Sequence, residues 1–204
     1  MRKGELTRQN IVKAAVSLAS RLGLKGVSIG RLAQELDLSK SGLYAHFESK
    51  QELEIATIDF AAERFVDNVV RPALKVPRGE PRVRALFENW LAWSHRQDMP
   101  GGCPFYALTS ELDDQPGATR DRLVQSQKDW RDMIASCFAV GIEEGHFRAD
   151  ADPQQFAHEL YGVYLSGQFA KRLVREANAA ERTRTAFESL LDSVRASGPR
   201  ARAN

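Results

Sequence analysis

The chain has 204 residues, of which 43% are apolar, and its 29 basic and 27 acidic side chains leave a net charge of +2. This length suits one small domain joined to one larger body, and the apolar fraction excludes a chain too polar to bury a core. No apolar run reaches about 18 residues and no apolar stretch follows Met1, so neither a membrane span nor a signal peptide is predicted. We therefore expect a cytoplasmic protein.

The charges are distributed unevenly along the chain. Residues 1–50 hold nine basic and four acidic side chains, whereas the remainder holds 20 basic and 23 acidic ones. A basic N-terminal part beside a mildly acidic remainder is expected when only the first part meets phosphate groups. A chance fluctuation of a few charges is the alternative explanation.

The first two predicted helices are marked by an apolar stripe and by small residues at their ends. Apolar side chains recur at helical spacing from Ile11 to Leu22, and Gly23 follows as a typical helix stop. Ser28 is placed to cap a second, short helix that runs to about Leu36.

Serines also mark the starts of the third and fourth helices. Ser39 is placed to cap a third helix that ends near His46. Ser49 and Glu52 have the spacing of a capping box, which predicts the start of a long fourth helix. We expect this helix to stop around Pro72, because proline cannot donate the next helical hydrogen bond.

Five further helices are predicted after a break at Pro77–Pro81. Their expected ranges are about 82–95, 105–112, 116–144, 153–175 and 179–195. No strand signal, internal repeat or low-complexity tract is present, so the predicted fold class is all-α with about nine helices.

The most informative stretch is Val27–Lys50, where two short helices meet at a tight turn near residues 35–38. Ala33 is placed where the two helices cross, and its small side chain permits a close approach. This is the pattern of a helix-turn-helix, whose second helix enters the major groove of DNA by its N-terminal residues. In this chain those residues are Lys40, Ser41 and Gly42.

Groups suited to phosphate surround this predicted recognition helix. Ser28 lies at the start of the second helix, Tyr44 and His46 follow on the recognition helix, and Lys50 begins the fourth helix. Such contacts fix the register of a protein on DNA, whereas bases are read from within the groove. Taken singly, Tyr44 or His46 is also explained by packing and Lys50 by a solvated surface charge.

The stretch LSKSGLYAHFESKQEL, preceded by VSIGRLA, closely resembles the recognition region of TetR-family transcriptional regulators over about residues 7–55. The matching positions are Ser28, Ala33, Ser39, Lys40, Leu43, Tyr44, His46, Phe47, Ser49 and Lys50. Asp37 stands where the family usually has glycine, and Gly42 replaces a larger residue. The DNA-binding residues that we predict are Ser28, Ser39, Lys40, Ser41, Gly42, Tyr44, His46 and Lys50.

The resemblance implies a helix-turn-helix DNA-binding domain over residues 1–48 and a C-terminal ligand-binding and dimerisation domain over residues 49–204. It also implies that the last two helices pair with those of a second subunit in a helical bundle. The predicted interface residues are Leu160, Gly167, Ala170, Val174, Phe187, Leu190, Leu191 and Val194, with Leu165, Phe169 and Leu173 widening the apolar face. The alternative is that these faces pack within one chain.

The resemblance further implies a ligand cavity in the C-terminal body. The candidate lining residues are Phe60, Phe87, Trp90, Trp93, Phe105, Trp130, Met133, Tyr161 and Tyr164, although aromatic residues at helical spacing are more often ordinary core. This composition favours a small, mainly hydrophobic effector and calls for no cofactor. Residues 101–114, GGCPFYALTSELDD, look like a stretch shared within one TetR subgroup, and we assign them no task from the sequence.

The predicted function is therefore a repressor that binds a palindromic operator as a homodimer and is released by an effector. An enzyme is the rival class, but no nucleophile elbow, phosphate loop or HxxxH spacing is present. A metal site built from His146, His158 and either Asp150 or Asp152 is a weaker alternative. Cys103 and Cys137 have no metal-binding spacing, and we expect both to be reduced core residues. A helical adaptor that has lost its operator is a second rival.

Overall fold

The computed structural model describes residues 3–196, with side chains from residue 7 onward. Over this range the chain forms nine helices and no β-strand, which confirms the all-α prediction. They are α1 (Lys3–Leu22), α2 (Ile29–Glu35), α3 (Lys40–Tyr44), α4 (Lys50–Phe65, continued by π-helical Val66–Val70 and α-helical Arg71–Leu74), α5 (Glu80–Trp93), α6 (Pro104–Leu112), α7 (Ala118–Glu143), α8 (Pro153–Phe169, continued by π-helical Ala170–Val174) and α9 (Ala179–Val194). No helix in this described part has the length and apolar character of a membrane span.

The predicted helix boundaries in the N-terminal part are confirmed by the backbone. Gly23 ends α1 with a φ of 68°, a left-handed conformation that glycine adopts without steric cost. The Ser28 hydroxyl oxygen accepts the N–H of Arg31 at 3.2 Å, and the Ser39 oxygen accepts that of Gly42 at 3.0 Å. Each serine therefore satisfies one backbone donor that a helix start leaves without a partner.

Ser49 caps the start of α4 as predicted, but the side chain of Glu52 binds a different backbone N–H from the one expected in a capping box. Ser49 Oγ accepts the N–H of Glu52 at 3.1 Å, whereas Glu52 Oε2 accepts the N–H of Glu48 at 2.7 Å rather than that of Ser49. Glu52 also binds Arg8 on α1 at 3.0 Å, and the guanidinium of Arg8 lies 4.7 Å from the centre of the Phe47 ring. The N–H of Glu48 and the charge of Arg8 together lower the pKa of Glu52.

Two prolines lie inside helices where the sequence predicted a stop or a break. The helix containing Pro72 continues to Leu74, and the preceding turn Val66–Val70 is π-helical. This wider turn changes the hydrogen-bond spacing, so the missing N–H of Pro72 does not end the helix. Pro81 is the second residue of α5. Backbone N–H groups in the first turn of a helix have no partner within the helix, so the missing N–H of proline costs no hydrogen bond there.

The chain divides into two compact units by its internal contacts. The first contains the residues up to Val70 together with Trp90–Gln127, and the second contains Arg71–Asn89 together with the chain from Lys128 onward. The predicted domain limits at residues 1 and 204 lie outside the described residues. The predicted functional boundary after residue 48 stays a prediction.

Helix α1 is the central element of the first unit. Most of its predicted apolar stripe is buried, with Ile11, Ala15 and Ala19 fully inaccessible to solvent, whereas Leu22 at the end of the stripe is 43% exposed. The helix packs against both α4 and α6. Small alanines in this stripe let neighbouring helices approach closely, and the surrounding larger side chains supply the hydrophobic stabilisation.

The second unit has an aromatic core and a tightly packed pair of final helices. The Phe138 ring stacks on Phe147 and Phe156, with centroid distances of 4.3 and 4.1 Å. Helices α8 and α9 pack together, and a Cβ added at Gly167 would lie only 2.4 Å from Thr183 Oγ1. Glycine at position 167 therefore permits the close approach of α9 within the same chain.

An ion-pair network also joins α5 to α9 in the second unit. Glu80 Oε1 lies 2.8 Å from Arg84 Nε and 2.6 Å from Arg195 Nη2, and Arg84 also binds Glu188 with both terminal nitrogens. The hydrogen bond from Arg195 is the main cause that lowers the pKa of Glu80 to about 2, and Arg84 adds to it against the cost of burial. This carboxylate is therefore more stable ionised in the folded chain than in the unfolded one.

The variant Glu80→Gln tests this contribution through its dependence on pH. The pKa of Glu80 falls from 4.5 to about 2 on folding, so its contribution is present above pH 4.5 and lost as the pH falls toward 2. Because solvent screens the partially exposed arginines, we expect the variant to lose about 1–2 kcal/mol of unfolding free energy at pH 7. Urea denaturation should show this difference shrinking as the pH falls below 4.5. An equal difference at every pH would contradict the assignment, and Glu144→Gln, at an exposed carboxylate, is the matched control.

Candidate nucleic-acid interface

Helices α2 and α3 form the predicted helix-turn-helix arrangement. The turn between them contains Asp37 with a φ of 51°, the left-handed conformation that the family's usual glycine adopts easily. The N–H of Leu38 donates to the carbonyl of Ala33 at 2.9 Å and closes the turn. Ala33 is buried, in agreement with its predicted place at the helix crossing.

Only one face of this pair is anchored in the first unit. Leu32 on α2, Leu43 on α3 and Phe47 after α3 are at most 1% exposed. Leu43 is the one buried residue among the five of α3. Its other four positions therefore remain on or near the surface, where they are available to a ligand as large as a DNA duplex.

The predicted DNA-binding residues are largely exposed. Those on the surface are Ser28, Ser39, Lys40, Ser41, Tyr44 and Lys50, whereas Gly42 and His46 are half-buried. Tyr44 is 58% exposed, so packing in the core does not explain this aromatic residue. The half-buried His46 agrees with the packing explanation.

The serines at the start of α3 keep a proton-donating group at the surface. Ser39 Oγ accepts the N–H of Gly42 and lies 3.1 Å from Ser41 Oγ, so one hydroxyl donates to the other. The second hydroxyl proton of this pair is left for an outside acceptor such as a phosphate oxygen. A Cβ added at Gly42 would lie 3.1 Å from Ser39 Oγ, which leaves little space for a larger residue there.

Arg31 is a basic surface residue that is absent from the predicted DNA-binding set. It lies in the first turn of α2, is exposed, and its Nη1 donates to the carbonyl of Gly26 at 3.3 Å. Nearby, a Cβ added at Gly30 would touch Lys40 Cε at 3.6 Å, so the lysine stem lies beside the start of α2. A basic side chain next to the Ser28 cap was the available signal for including Arg31 among phosphate contacts.

Lys50 has an internal partner that would compete with a phosphate. Its Nζ lies 3.2 Å from Glu54 Oε1, and the other oxygen of Glu54 accepts a hydrogen bond from Thr119 Oγ1 at 3.1 Å. The Lys50 side chain is still 55% exposed. A phosphate contact would therefore require Lys50 to share its charge with Glu54.

The residues predicted to line an effector cavity are divided between the two units. Phe60, Trp90, Trp93 and Phe105 belong to the first, and Phe87, Trp130, Met133, Tyr161 and Tyr164 belong to the second. Phe60, Met133 and Tyr161 are half-buried and the others are buried. Their role as a cavity lining stays a prediction.

Part of this set forms an aromatic cluster in the first unit. The Phe65 ring meets Trp93 and Phe105 edge to face, with centroid distances of 5.5 and 5.9 Å. Among the described residues, no acceptor lies within hydrogen-bonding distance of the buried Trp93 Nε1. In the second unit, Phe87 stacks on Phe187 at 3.8 Å and is accounted for as core.

Half of the predicted dimer residues are already buried within one chain. Leu160, Phe187, Leu190 and Leu191 are at most 8% exposed. Gly167, Ala170 and Val194 are half-buried, and Val174 is exposed. The alternative of internal packing therefore accounts for the four buried residues without a partner, while their interface role stays a prediction.

The end of α8 presents an apolar surface that the described residues leave uncovered. Phe169, Leu173 and Val174 are 50%, 71% and 49% exposed. Such a group of large apolar side chains on one helix end is typical of an interaction surface.

The described part of the chain contains no cluster of side chains that supports the weaker hypothesis of a metal site. No group of three or more His, Cys, Asp and Glu side chains could hold an ion there. His146 Nδ1 accepts the N–H of Glu80 at 3.1 Å, and His158 is an exposed residue of α8.

Two family models match the chain along most of its length. Residues 11–57 match the model described as bacterial regulatory proteins, tetR family. Residues 79–187 match the model described as tetracyclin repressor-like, C-terminal domain. The first match contains α2, α3 and the start of α4, where the exposed basic and hydroxyl groups lie.

Relatives and solved structures agree with these matches. The HTH-type transcriptional repressor KstR2 of Mycobacterium tuberculosis is 29% identical over 157 residues, 74% of this chain and 72% of that protein. A TetR transcriptional regulator from Chloroflexus aurantiacus superposes with a TM-score of 0.85 at 26% identity, over 97% of this chain and 100% of that one. AibR, solved with isovaleryl coenzyme A and operator DNA, shares the fold with a TM-score of 0.71 at 20% identity, over 90% of this chain and 97% of its own. The chain belongs to the TetR family of transcriptional regulators.

Proposed function

We propose that this chain binds a palindromic operator as a homodimer, represses transcription from it, and is released by a small, mainly hydrophobic effector. The observation that carries the proposal is the surface of α3, where Lys40, Ser41 and Tyr44 are exposed around the buried Leu43. Lysine reaches guanine acceptors in the major groove and serine hydroxyls bind either base type. Repression is the activity named for KstR2, the relative described above.

The small size of one recognition helix supports the proposed homodimer. With five residues, α3 offers a single chain only a few base contacts. Two such helices, one helical turn apart along the duplex, would double them and would require an operator with twofold symmetry. The exposed Phe169, Leu173 and Val174 on α8 supply an apolar surface that a second subunit would cover.

The effector is proposed from the aromatic residues predicted to line a cavity. Trp93 supports this proposal, because its buried Nε1 is a donor that a polar atom of a bound ligand would satisfy. AibR, which has the same fold, was solved with isovaleryl coenzyme A and operator DNA. The aromatic candidates and the buried Trp93 donor together favour an effector with a large apolar part and at least one hydrogen-bond acceptor.

Operator binding is tested by fluorescence anisotropy with a duplex from just upstream of the protein's own coding region. We expect saturable binding at least tenfold tighter than to a scrambled duplex, with affinity falling steeply as salt rises because phosphate contacts release counterions. If the chain does not prefer the upstream duplex, random-sequence selection can still find an operator elsewhere. If that selection yields no preferred duplex either, the operator proposal is wrong and the adaptor hypothesis takes its place.

Two lysine variants test the proposed division between base and phosphate contacts. Lys40→Ala should cost about 1–3 kcal/mol on the preferred duplex and relax sequence choice. Lys50→Ala should weaken binding to all duplexes about equally and reduce the salt slope by about 1. Lys128→Ala, which removes an exposed lysine from α7, is the matched control. Identical effects of Lys40→Ala and Lys50→Ala on every duplex would refute the division.

A further inference from the structure

We propose that Glu111 on α6 is a positioning residue for DNA binding, because its carboxylate holds the turn that leads from α1 into α2. This inference rests on the proposed operator-binding function and assigns a task to residues 101–114, which the sequence left without one. It concerns only the first compact unit, to which α1, α2, α3 and α6 all belong.

The carboxylate of Glu111 binds two consecutive backbone donors. Its Oε2 accepts the N–H of Leu24 at 2.7 Å, and its Oε1 accepts the N–H of Lys25 at 2.6 Å. Both amides lie just beyond the end of α1, and neither donates to a backbone carbonyl among the described residues. Hydrogen bonds to an ionised carboxylate are short and about twice as strong as neutral ones, which makes this a firm attachment.

Gly23 leaves the space that the carboxylate occupies. A Cβ added at Gly23 would lie 2.0 Å from Glu111 Oε2, so any larger residue would push the carboxylate away from the two amides. Gly23 also has the left-handed φ of 68° that ends α1. Gly23 therefore both ends α1 and makes room for the Glu111 carboxylate of α6.

A second contact joins the segment before α6 to the last turn of α1. The N–H of Gly101 donates to the buried Ser20 Oγ at 3.1 Å. A Cβ added at Gly101 would lie 1.8 Å from the carbonyl oxygen of Ser20, so only glycine fits against this backbone. Residues 101–111 therefore hold the end of α1 at two points.

The held turn is short and internally bonded, so fixing its amides also fixes where α2 begins. The N–H of Val27 donates to the carbonyl of Leu24 at 2.9 Å, and Val27 is 1% exposed. Ser28, the cap of α2, follows directly. A displacement of α6 would thus move or release the start of α2, and α2 packs against α3. Glu111 therefore links the position of α6 to the position of α2 and α3. Through this link, the position of α6 sets the fraction of chains in which α2 and α3 are arranged to bind DNA.

The test replaces Glu111 with Gln in the full-length chain and measures two local properties. Glutamine has one acceptor oxygen, and its amide group faces the second N–H as another donor, so at most one of the two hydrogen bonds survives. We expect faster hydrogen exchange at the amides of Leu24 and Lys25. We also expect about tenfold weaker binding to the duplex that the wild-type chain prefers. This is the effect of an equilibrium in which each chain spends about a tenth of its time in the DNA-binding conformation.

The salt slope and the binding stoichiometry distinguish a positioning role from the loss of a phosphate contact and from a fraction of misfolded chains. No phosphate contact is removed, so the salt slope should equal that of the wild type, and a stoichiometric titration should show all chains active. Asp114→Asn removes the same charge from an exposed residue just beyond α6 and should change none of these properties. Gly23→Ala combined with Glu111→Gln should weaken binding by less than the product of the two single effects, because both disrupt one contact.

Failure of the inference differs from failure of the proposed function. Unchanged amide exchange and unchanged affinity in Glu111→Gln, with a wild-type chain that prefers its duplex, would overturn the positioning role alone. A wild-type chain without any preferred duplex would overturn the proposed function. If Glu111→Gln does not fold, Glu111→Asp keeps the charge but shortens the side chain, and the same two amides and the same affinity decide the outcome.

Discussion

The structure of the N-terminal head depends on the fact that α3 is too short to be stable alone. A helix of five residues lies far below the length at which an isolated peptide helix persists in water. Its conformation must therefore be imposed by the Ser39 cap, by the closed turn at Asp37 and by the burial of Leu43. Whatever stabilises this packing, from the apolar stripe of α1 to the carboxylate of Glu111, therefore helps to hold the surface that we propose binds DNA.

The features that sequence predicted well are those fixed by neighbouring residues. Ser28 and Ser39 were placed correctly because a cap depends only on the next three residues. Asp37, which stands where the family usually has glycine, adopts the left-handed conformation of that turn with a φ of 51°. The exposed face of α3 follows in the same way, since the buried Leu43 leaves the remaining positions outside.

The features that sequence missed depend on residues far apart in the chain. The partners of Glu111 lie 86 and 87 residues before it, and those of Glu80 include Arg195, so no local pattern reveals either contact. Pro72 was expected to end its helix, but the π-helical turn before it removes the conflict. Leu160 and Leu191 could have faced a partner or the chain's own core, and helical spacing cannot distinguish these environments because it reports only that a side is apolar.

We propose that the N-terminal end of α3 enters the major groove of a twofold operator. Dimethyl sulfate protection measures this most directly, because the reagent methylates guanine N7, which lies in the major groove. We expect protected guanines in two half-sites about 10 base pairs apart. We also expect Lys40→Ala, at a concentration that saturates the DNA, to lose this protection. Full reactivity of every guanine N7 on DNA saturated with the wild-type chain would show that α3 does not enter the major groove.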